Sequence, residues 1–172
     1  MEVTRTFDLL EKLVTEYPKD DILSRKTGGK WIKYSSQSYY DHSHKLAYAF
    51  LALGYGKGDK VITITPNRPE WNFADMGLML AGMVHVPVYT TLSNDDYLHI
   101  FKHSDARAVI LGGDSLVKKL APIISQVDRT IDIITIDPAP PLWSSGTVNL
   151  YSKEFFELCK KKLKPEIGRA HV

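Results

Sequence analysis

Across 172 residues there is a single cysteine, Cys159, so no disulfide can close within the chain and a reducing compartment is the expected setting. An excess of one charge is lacking too. The 22 basic residues stand against 20 acidic ones, and a formal net charge of +2 offers no electrostatic case for nucleic acid or for an anionic membrane. Five of the basic residues fall between Lys160 and Arg169, which leaves the body close to neutral. No apolar run approaches the ~20 residues of a membrane span; the longest is Met76 to Val84. The opening MEVTRTFDLL has no basic region followed by an apolar core, which speaks against a signal peptide. Repeats and low-complexity segments are absent, as are a Ser/His/Asp set, paired carboxylates at a defined spacing and a Cys/His metal cluster. What remains is a soluble, cytoplasmic α/β chain, long enough to bury roughly 70% of its unfolded surface if it folds alone.

The most informative stretch is Lys60 to Leu92, KVITITPNRPEWNFADMGLMLAGMVHVPVYTTL. Val61 to Thr65 alternates β-branched residues and predicts a strand. Pro66 and Asn67 stop it. Asn67 with Glu70 forms a candidate capping box, and Pro69 suits the first turn of a helix to about Met83. Only Glu70, Asn72 and Asp75 are polar in that helix, so it belongs inside a protein. Gly77 and Ala81 leave a smooth stripe on which a sheet could lie close. Val84 to Tyr89 reads as a second strand, and the whole as one βαβ unit with parallel strands.

Around this unit, Thr6 can cap a helix carrying Phe7, Leu10, Val14 and Tyr17, which Pro18 ends. Ile22–Thr27 and Lys30–Tyr34 flank Gly28-Gly29, the signal of a two-residue hairpin. Ser35 or Ser36 caps a long helix with Tyr39, Leu46, Phe50 and Leu53 on one face, closed by Gly54. Ser93 caps the helix after the βαβ unit, with Leu92 and Tyr97 placed as a hydrophobic staple. Ala108 to Leu111 is a short buried strand and Gly112-Gly113 a turn. Asp114 caps a helix burying Leu116, Leu120, Ile124 and Val127, which Pro122 should kink or split. Ile133 to Ile136 is a further strand, Asp137 to Thr147 a surface connector, and a last helix starts near Ser152 with Phe155, Phe156 and Cys159 inward. The expected fold is α/β: a mainly parallel sheet with helices on both faces, preceded by an N-terminal β-hairpin.

The wording N-R-P-E-W at 67–71 and L-A-G-M-V-H-V-P-V-Y-T-T-L at 80–92 resembles the N-terminal region of the AMP-forming acyl-CoA synthetases, a superfamily that includes luciferases and peptide-synthetase adenylation domains. It is most similar to the long-chain fatty acid–CoA ligase branch. The likeness runs to about Lys164, so residues 1–165 are expected to be the first part of the large N-terminal domain of an adenylate-forming ligase. It implies ATP, Mg²⁺ and CoA as cofactors, and a fatty acid, ATP and CoA as partners, in a longer parent protein that could sit peripherally on a membrane. Both motifs are scaffold rather than chemistry. The family's phosphate loop reads roughly S-G-T-T-G-x-P-K-G, and Ser144-Ser145-Gly146-Thr147 lacks its second glycine and its lysine.

Other candidate chemistry reads as ordinary structure. Gly54, Gly56, Gly58 and Lys60 lie between helix and strand, the reverse of a phosphate loop. Gly112-Gly113-Asp114 has the right order, yet it lacks the glycine spacing and the lysine. His99 and His103 could share a metal from one helix face, but the H-E-x-x-H glutamate is missing and exposed histidines are expected. His42 and His44 point to different sides of their helix. Met76, Met79 and Met83 read as core filling, Trp71 as packing at the helix start, and Lys160 to Lys162 with Lys164 as a solvated helix end. Catalytic, cofactor-binding and metal residues are therefore expected to number none, and the chain alone is expected to be inactive. The competing reading is a complete, non-catalytic doubly wound module that binds a nucleotide or a protein.

Residues 166–172, EIGRAHV, depart from this pattern. They back-translate to GAGATCGGAAGAGCACACGTC, which resembles a common sequencing-library adapter that continues into an in-frame stop. A non-native tail is expected there.

Overall fold

The computed structural model describes residues 2–135 and 147–149. Helix α1 spans Asp8–Thr15. Phe7, not Thr6, is its N-cap residue and gives no side-chain hydrogen bond. Instead the Asp8 carboxylate accepts the N–H groups of Thr4 and Arg5 at 3.2 and 2.9 Å, folding the preceding chain back over the first turn. Strands β1 (Leu23–Thr27) and β2 (Lys30–Tyr34) form the expected antiparallel hairpin. Gly28 and Gly29 turn it at φ +57° and +77°, the left-handed pair that a two-residue turn requires.

Helix α2 spans Ser36–Ala52, and Ser35 caps it by accepting the Ser38 N–H at 3.0 Å. At its other end Gly54 sits at φ +87°, and Tyr55 N–H reaches back to the Phe50 carbonyl at 3.1 Å while their rings meet edge to face at 5.3 Å. This is a Schellman cap with its hydrophobic contact.

Strand β3 (Lys60–Ile64), helix α3 (Pro69–Leu80) and strand β4 (Val84–Pro87) form the central βαβ unit, with β3 and β4 parallel. Arg68 is the N-cap residue of α3 and makes no side-chain cap, so the Asn67–Glu70 capping box is not formed. Glu70 turns to two arginines instead. The helix stops three residues short of Met83. Gly82 at φ +72° makes a second Schellman cap, with Met83 N–H on the Leu78 carbonyl at 2.9 Å and Gly82 N–H on Met79 at 3.0 Å.

The close approach at Gly77 is to a helix, not to the sheet. A Cβ there would lie 2.8 Å from Leu46 Cβ and 2.9 Å from the Ser43 carbonyl oxygen, so Gly77 is what lets α2 and α3 touch backbone to backbone.

Helix α4 (Asn94–His103) opens on a full capping box between Ser93 and Asp96. Strand β5 (Ala108–Leu111) leads into helix α5 (Asp114–Ile124), whose N-cap residue is Gly113, with Asp114 in the first turn rather than capping. Pro122 does not split α5; it falls in the last turn, and the helix ends two residues later. Val127 lies beyond that end, half-buried, and Ile123 takes its place in the buried row.

Strand β6 spans Asp132–Thr135, and Thr147–Asn149 form strand β7 parallel to it, beginning at the last residue of the expected connector and otherwise in residues given no element by the sequence pattern. Among the described residues the sheet is thus five-stranded and wholly parallel, in the order β4-β3-β5-β6-β7. Strand alternation divides the core in two. Val61, Ala108, Ile110 and Ile134 face Leu10, Leu46, Phe50, Phe73 and Leu78 of the first three helices. Ile62, Ile64, Val109 and Leu111 face Tyr97, Phe101, Leu116 and Leu120 of the other two. Strand β4 is an outer strand: Val88 N–H donates to the Thr63 carbonyl on its inner side, which alternation leaves Pro87 facing the other way. The expected helix from Ser152, most of the 137–147 connector, Lys160 to Lys164 and the 166–172 tail lie outside the described residues.

Candidate functional site

The most organised polar group lies on the face of β3 and β4 covered by α3. Strand parity puts Val61 and Thr63 on that face, and the register sets His85 beside Val61. Thr63 Oγ1 is 2.7 Å from His85 Nε2, and His85 Nδ1 is 2.6 Å from Asp75 Oδ1 on α3. A carboxylate only accepts, so Nδ1–H donates to Asp75, and in the neutral ring Nε2 accepts the Thr63 hydroxyl proton. Trp71, half-buried, leans on the imidazole at 5.3 Å between centroids.

Carboxylate, imidazole and hydroxyl in this order are the parts of a nucleophilic relay. The sequence reading found no such set, because its members are spread over strand, helix and strand. Geometry argues against acyl transfer here. Thr63 has no exposed surface and the His85 side chain only 7%, so no carbonyl can come within reach of Oγ1. The relay is a tie: it binds a central strand, an outer strand and their crossover helix through two short hydrogen bonds.

A second cluster forms where α3 begins. Arg25 of the hairpin reaches Glu70 Oε1 at 2.9 Å, and Arg68 reaches Oε2 at 3.0 Å. Burial opposes ionisation of Glu70, but the hydrogen bond from Arg68 and the charges of both arginines outweigh it and hold the carboxyl below its ordinary range. Tyr34 packs edge-on against Phe73 at 5.3 Å beside this cluster, and His42 stacks on Phe73 at 4.8 Å. Burial, then Lys45, push His42 below the usual imidazole value against the opposing pull of Asp41 and Glu70.

The remaining candidates separate cleanly. His99 and His103 are exposed, their rings parallel and 5.5 Å apart, and no group of three metal-ligating side chains exists among the described residues. His44 stays on the far side of α2 from Phe73, stacked on Tyr40. Met83 is buried, whereas Met76 and Met79 are half-buried. Gly54 and Gly58 are left-handed turn glycines, and Asp59 accepts the Gly56 N–H at 2.8 Å. An open depression of about 420 Å³ beside Val14, Pro18, Lys19, Asp20 and Ser35 gathers no convergent chemistry.

Connections leave β3 and β5 in opposite directions along the sheet, which makes the crevice between their ends the expected ligand position of an open α/β fold. Here the crevice is filled by the chain. A Cβ on Gly112 would lie 2.7 Å from Thr65 Cβ and 2.9 Å from Pro66 Cδ, so this glycine serves loop-on-loop packing.

A wholly parallel sheet with helices on both faces, led by an antiparallel hairpin, places the described residues in the open α/β class. Residues 10–166 match the AMP-binding enzyme family, and the chain belongs to it. It is 29% identical over 152 residues to the long-chain-fatty-acid–CoA ligase ACSBG2 of Rattus norvegicus, covering 88% of this chain and 22% of that protein. It is 31% identical over 112 residues to fatty acyl-CoA synthetase A of Dictyostelium discoideum, covering 64% and 16%. Among solved structures, the coronafacic acid ligase of Pectobacterium brasiliense superposes with a TM-score of 0.73 at 18% identity, covering 90% of this chain and 29% of that one. A benzoate CoA ligase of Burkholderia xenovorans LB400 gives 0.65 at 21%, covering 92% and 28%. The chain spans about a fifth of the length of the curated relatives it matches. Among the described residues the strand–glycine–helix turn at Gly112-Gly113 is packed against Thr65 and Pro66 and has no lysine in it.

Proposed function

We propose that this chain is the scaffold part of an AMP-forming acyl-CoA ligase that activates a long-chain fatty acid. A carboxylate is a poor acyl donor to a thiol because its leaving group would be oxide. Such a ligase first joins the acid to AMP, using ATP with Mg²⁺ to stabilise charge on the phosphates, and CoA thiol then displaces AMP. The observation that carries the reading is the family match across residues 10–166, taken with the long-chain ligase names of its relatives. Under this reading the nucleotide contacts, the metal site and the catalytic groups belong to other parts of the protein. The described residues hold the strands and helices in place, and residues 166–172 are foreign to the fold.

The experiment is to express the uninterrupted gene from its source and follow palmitoyl-CoA formation, with the 172-residue chain assayed beside it for pyrophosphate release from ATP and palmitate. The longer protein is expected to make palmitoyl-CoA, and the short chain to stay at the no-enzyme control. A gene whose codons run through EIGRAHV to a stop would refute the foreign tail. Pyrophosphate release by the short chain would refute the assignment of its residues to scaffold alone.

A further inference from the structure

We propose that the tip of the β1–β2 hairpin is a docking point for an anionic lipid surface. The hairpin has two unlike faces. Leu23, Arg25 and Tyr34 point inward, Arg25 to Glu70 and Tyr34 to Phe73. Alternation then puts Ser24, Lys26, Trp31 and Lys33 on the outward face, with Lys26 directly opposite Trp31 and Ser24 opposite Lys33. Trp31 is 65% exposed, an unusual state for the largest apolar side chain.

The charge around it has one sign. Residues 22–34 contain four basic side chains and no acidic one. Arg25 is neutralised by Glu70, and Lys33 by Asp21 at 3.0 Å at the hairpin base. Lys26, directly opposite Trp31, and Lys30, next to it at the turn but with the parity of the other face, are both exposed and have no ion-pair partner among the described residues. The chain's near-zero net charge hides this polarity.

Shape decides the occupant. A stable protein partner needs about 800 Å² from each side. A two-residue glycine turn with one indole and two ammonium groups is a narrow, convex point that cannot supply that area. A bilayer needs none of it. An indole seats its ring at the headgroup level, and lysine stems lie along apolar surface while their ammonium groups reach lipid phosphates. Gly28 and Gly29 add no side chain to obstruct approach, and space around both is open. This argument uses only the hairpin and stands apart from the ligase reading.

The test is flotation of the 172-residue chain with phosphatidylcholine vesicles, with and without phosphatidylglycerol. Flotation is chosen because an aggregate sinks. The wild type is expected to rise only with the anionic vesicles and to be released by high salt. A Lys26→Glu/Lys30→Glu double variant is expected to bind at least about tenfold more weakly, at roughly 1 kcal/mol per cation. Trp31→Ser should weaken binding as well, while Lys118→Glu, an exposed change on α5, should not. The changed side chains are exposed, and an unaltered urea midpoint confirms that each variant is folded. Equal binding to neutral vesicles, no flotation, or undiminished binding by the tip variants would overturn the proposal. So would a concentration-dependent dimer abolished by Trp31→Ser, which would make a second copy the occupant.

Discussion

His85 Nδ1 lies 2.6 Å from Asp75 Oδ1, and this contact joins an outer strand to the helix that crosses over to it. With Thr63 at the other ring nitrogen, three residues from three elements satisfy one another; Thr63 and the His85 ring are enclosed, while Asp75 keeps partial access to solvent. Partners this short and this enclosed are costly to separate, because each left alone keeps its desolvation penalty.

His85→Ala is therefore expected to destabilise the chain by about 2–4 kcal/mol in urea unfolding, from a buried unsatisfied hydroxyl plus a cavity. Thr63→Val, which keeps the shape and removes the hydroxyl, should cost about 1 kcal/mol. The double variant should fall short of the sum of the two. Strict additivity would mean that the residues do not act on each other.

Gly77→Ala tests the helix contact. Alanine gains about 1 kcal/mol of helix propensity, but its Cβ must sit 2.8 Å from Leu46 Cβ and 2.9 Å from a backbone oxygen. Overpacking of that kind costs about 1–3 kcal/mol, so a net loss is expected. Gly56→Ala, with open space around it and no positive φ, is the control and should be close to neutral. A stabilised Gly77→Ala variant would show that α2 and α3 can part without cost.

Stability should fall with acid in two pH ranges. His42 is pushed below its usual value by burial, so its neutral form is favoured in the fold. The stability it lends is full above roughly pH 6.5, the ordinary imidazole value, and declines as pH falls below it. Glu70 is held below the usual carboxylate range, and Asp8, bonded chiefly to Arg5, is lowered to about 2. Their contributions are full above about pH 4.5 and are lost as pH falls through their folded values. Urea midpoints measured down the pH scale should fall first with His42 and then more steeply with the carboxylates. Glu70→Gln should flatten the lower stage, and a profile level from pH 7 to 3 would contradict both assignments.

Elements written in local pattern were legible in the sequence. The β3 alternation, the Gly28-Gly29 hairpin, the Ser35 and Ser93 caps and the Gly54 turn all emerge where their residues place them. Caps that compete with tertiary partners were not. Glu70 had two arginines to choose over Asn67, and one of them comes from the hairpin 45 residues away. At the start of α1 the backbone carbonyls of Arg5, Thr6 and Phe7 accept the first N–H groups, and no side chain gives the cap expected of Thr6. The end of α3 was overrun because its apolar residues continue to Met83, although Gly82 carries the same left-handed signal as Gly54. Three-residue β7 is too short to announce itself within a proline- and glycine-rich stretch.

The Asp75–His85–Thr63 tie illustrates a different limit. No spacing rule joins residues 63, 75 and 85, yet the βαβ reading already contained the clue. Once β3 and β4 are parallel neighbours under one helix, parity alone sends a threonine and a histidine to the same covered face. At Gly112-Gly113 the sequence suggested an ordinary turn, and the turn packs on Thr65 and Pro66.

Pro87 has a consequence for how this molecule behaves among its own kind. The outer rim of β4 has no strand beside it among the described residues, and such a rim invites a stray extended segment to lengthen the sheet. Because Val84 and Val88 donate their amide N–H groups inward, alternation turns the backbone of His85 and Pro87 to the outer rim, and the nitrogen of Pro87 has no hydrogen to offer there. The rim is left one rung short where β4 ends, a built-in discouragement to the ordered stacking that bare sheet margins otherwise promote.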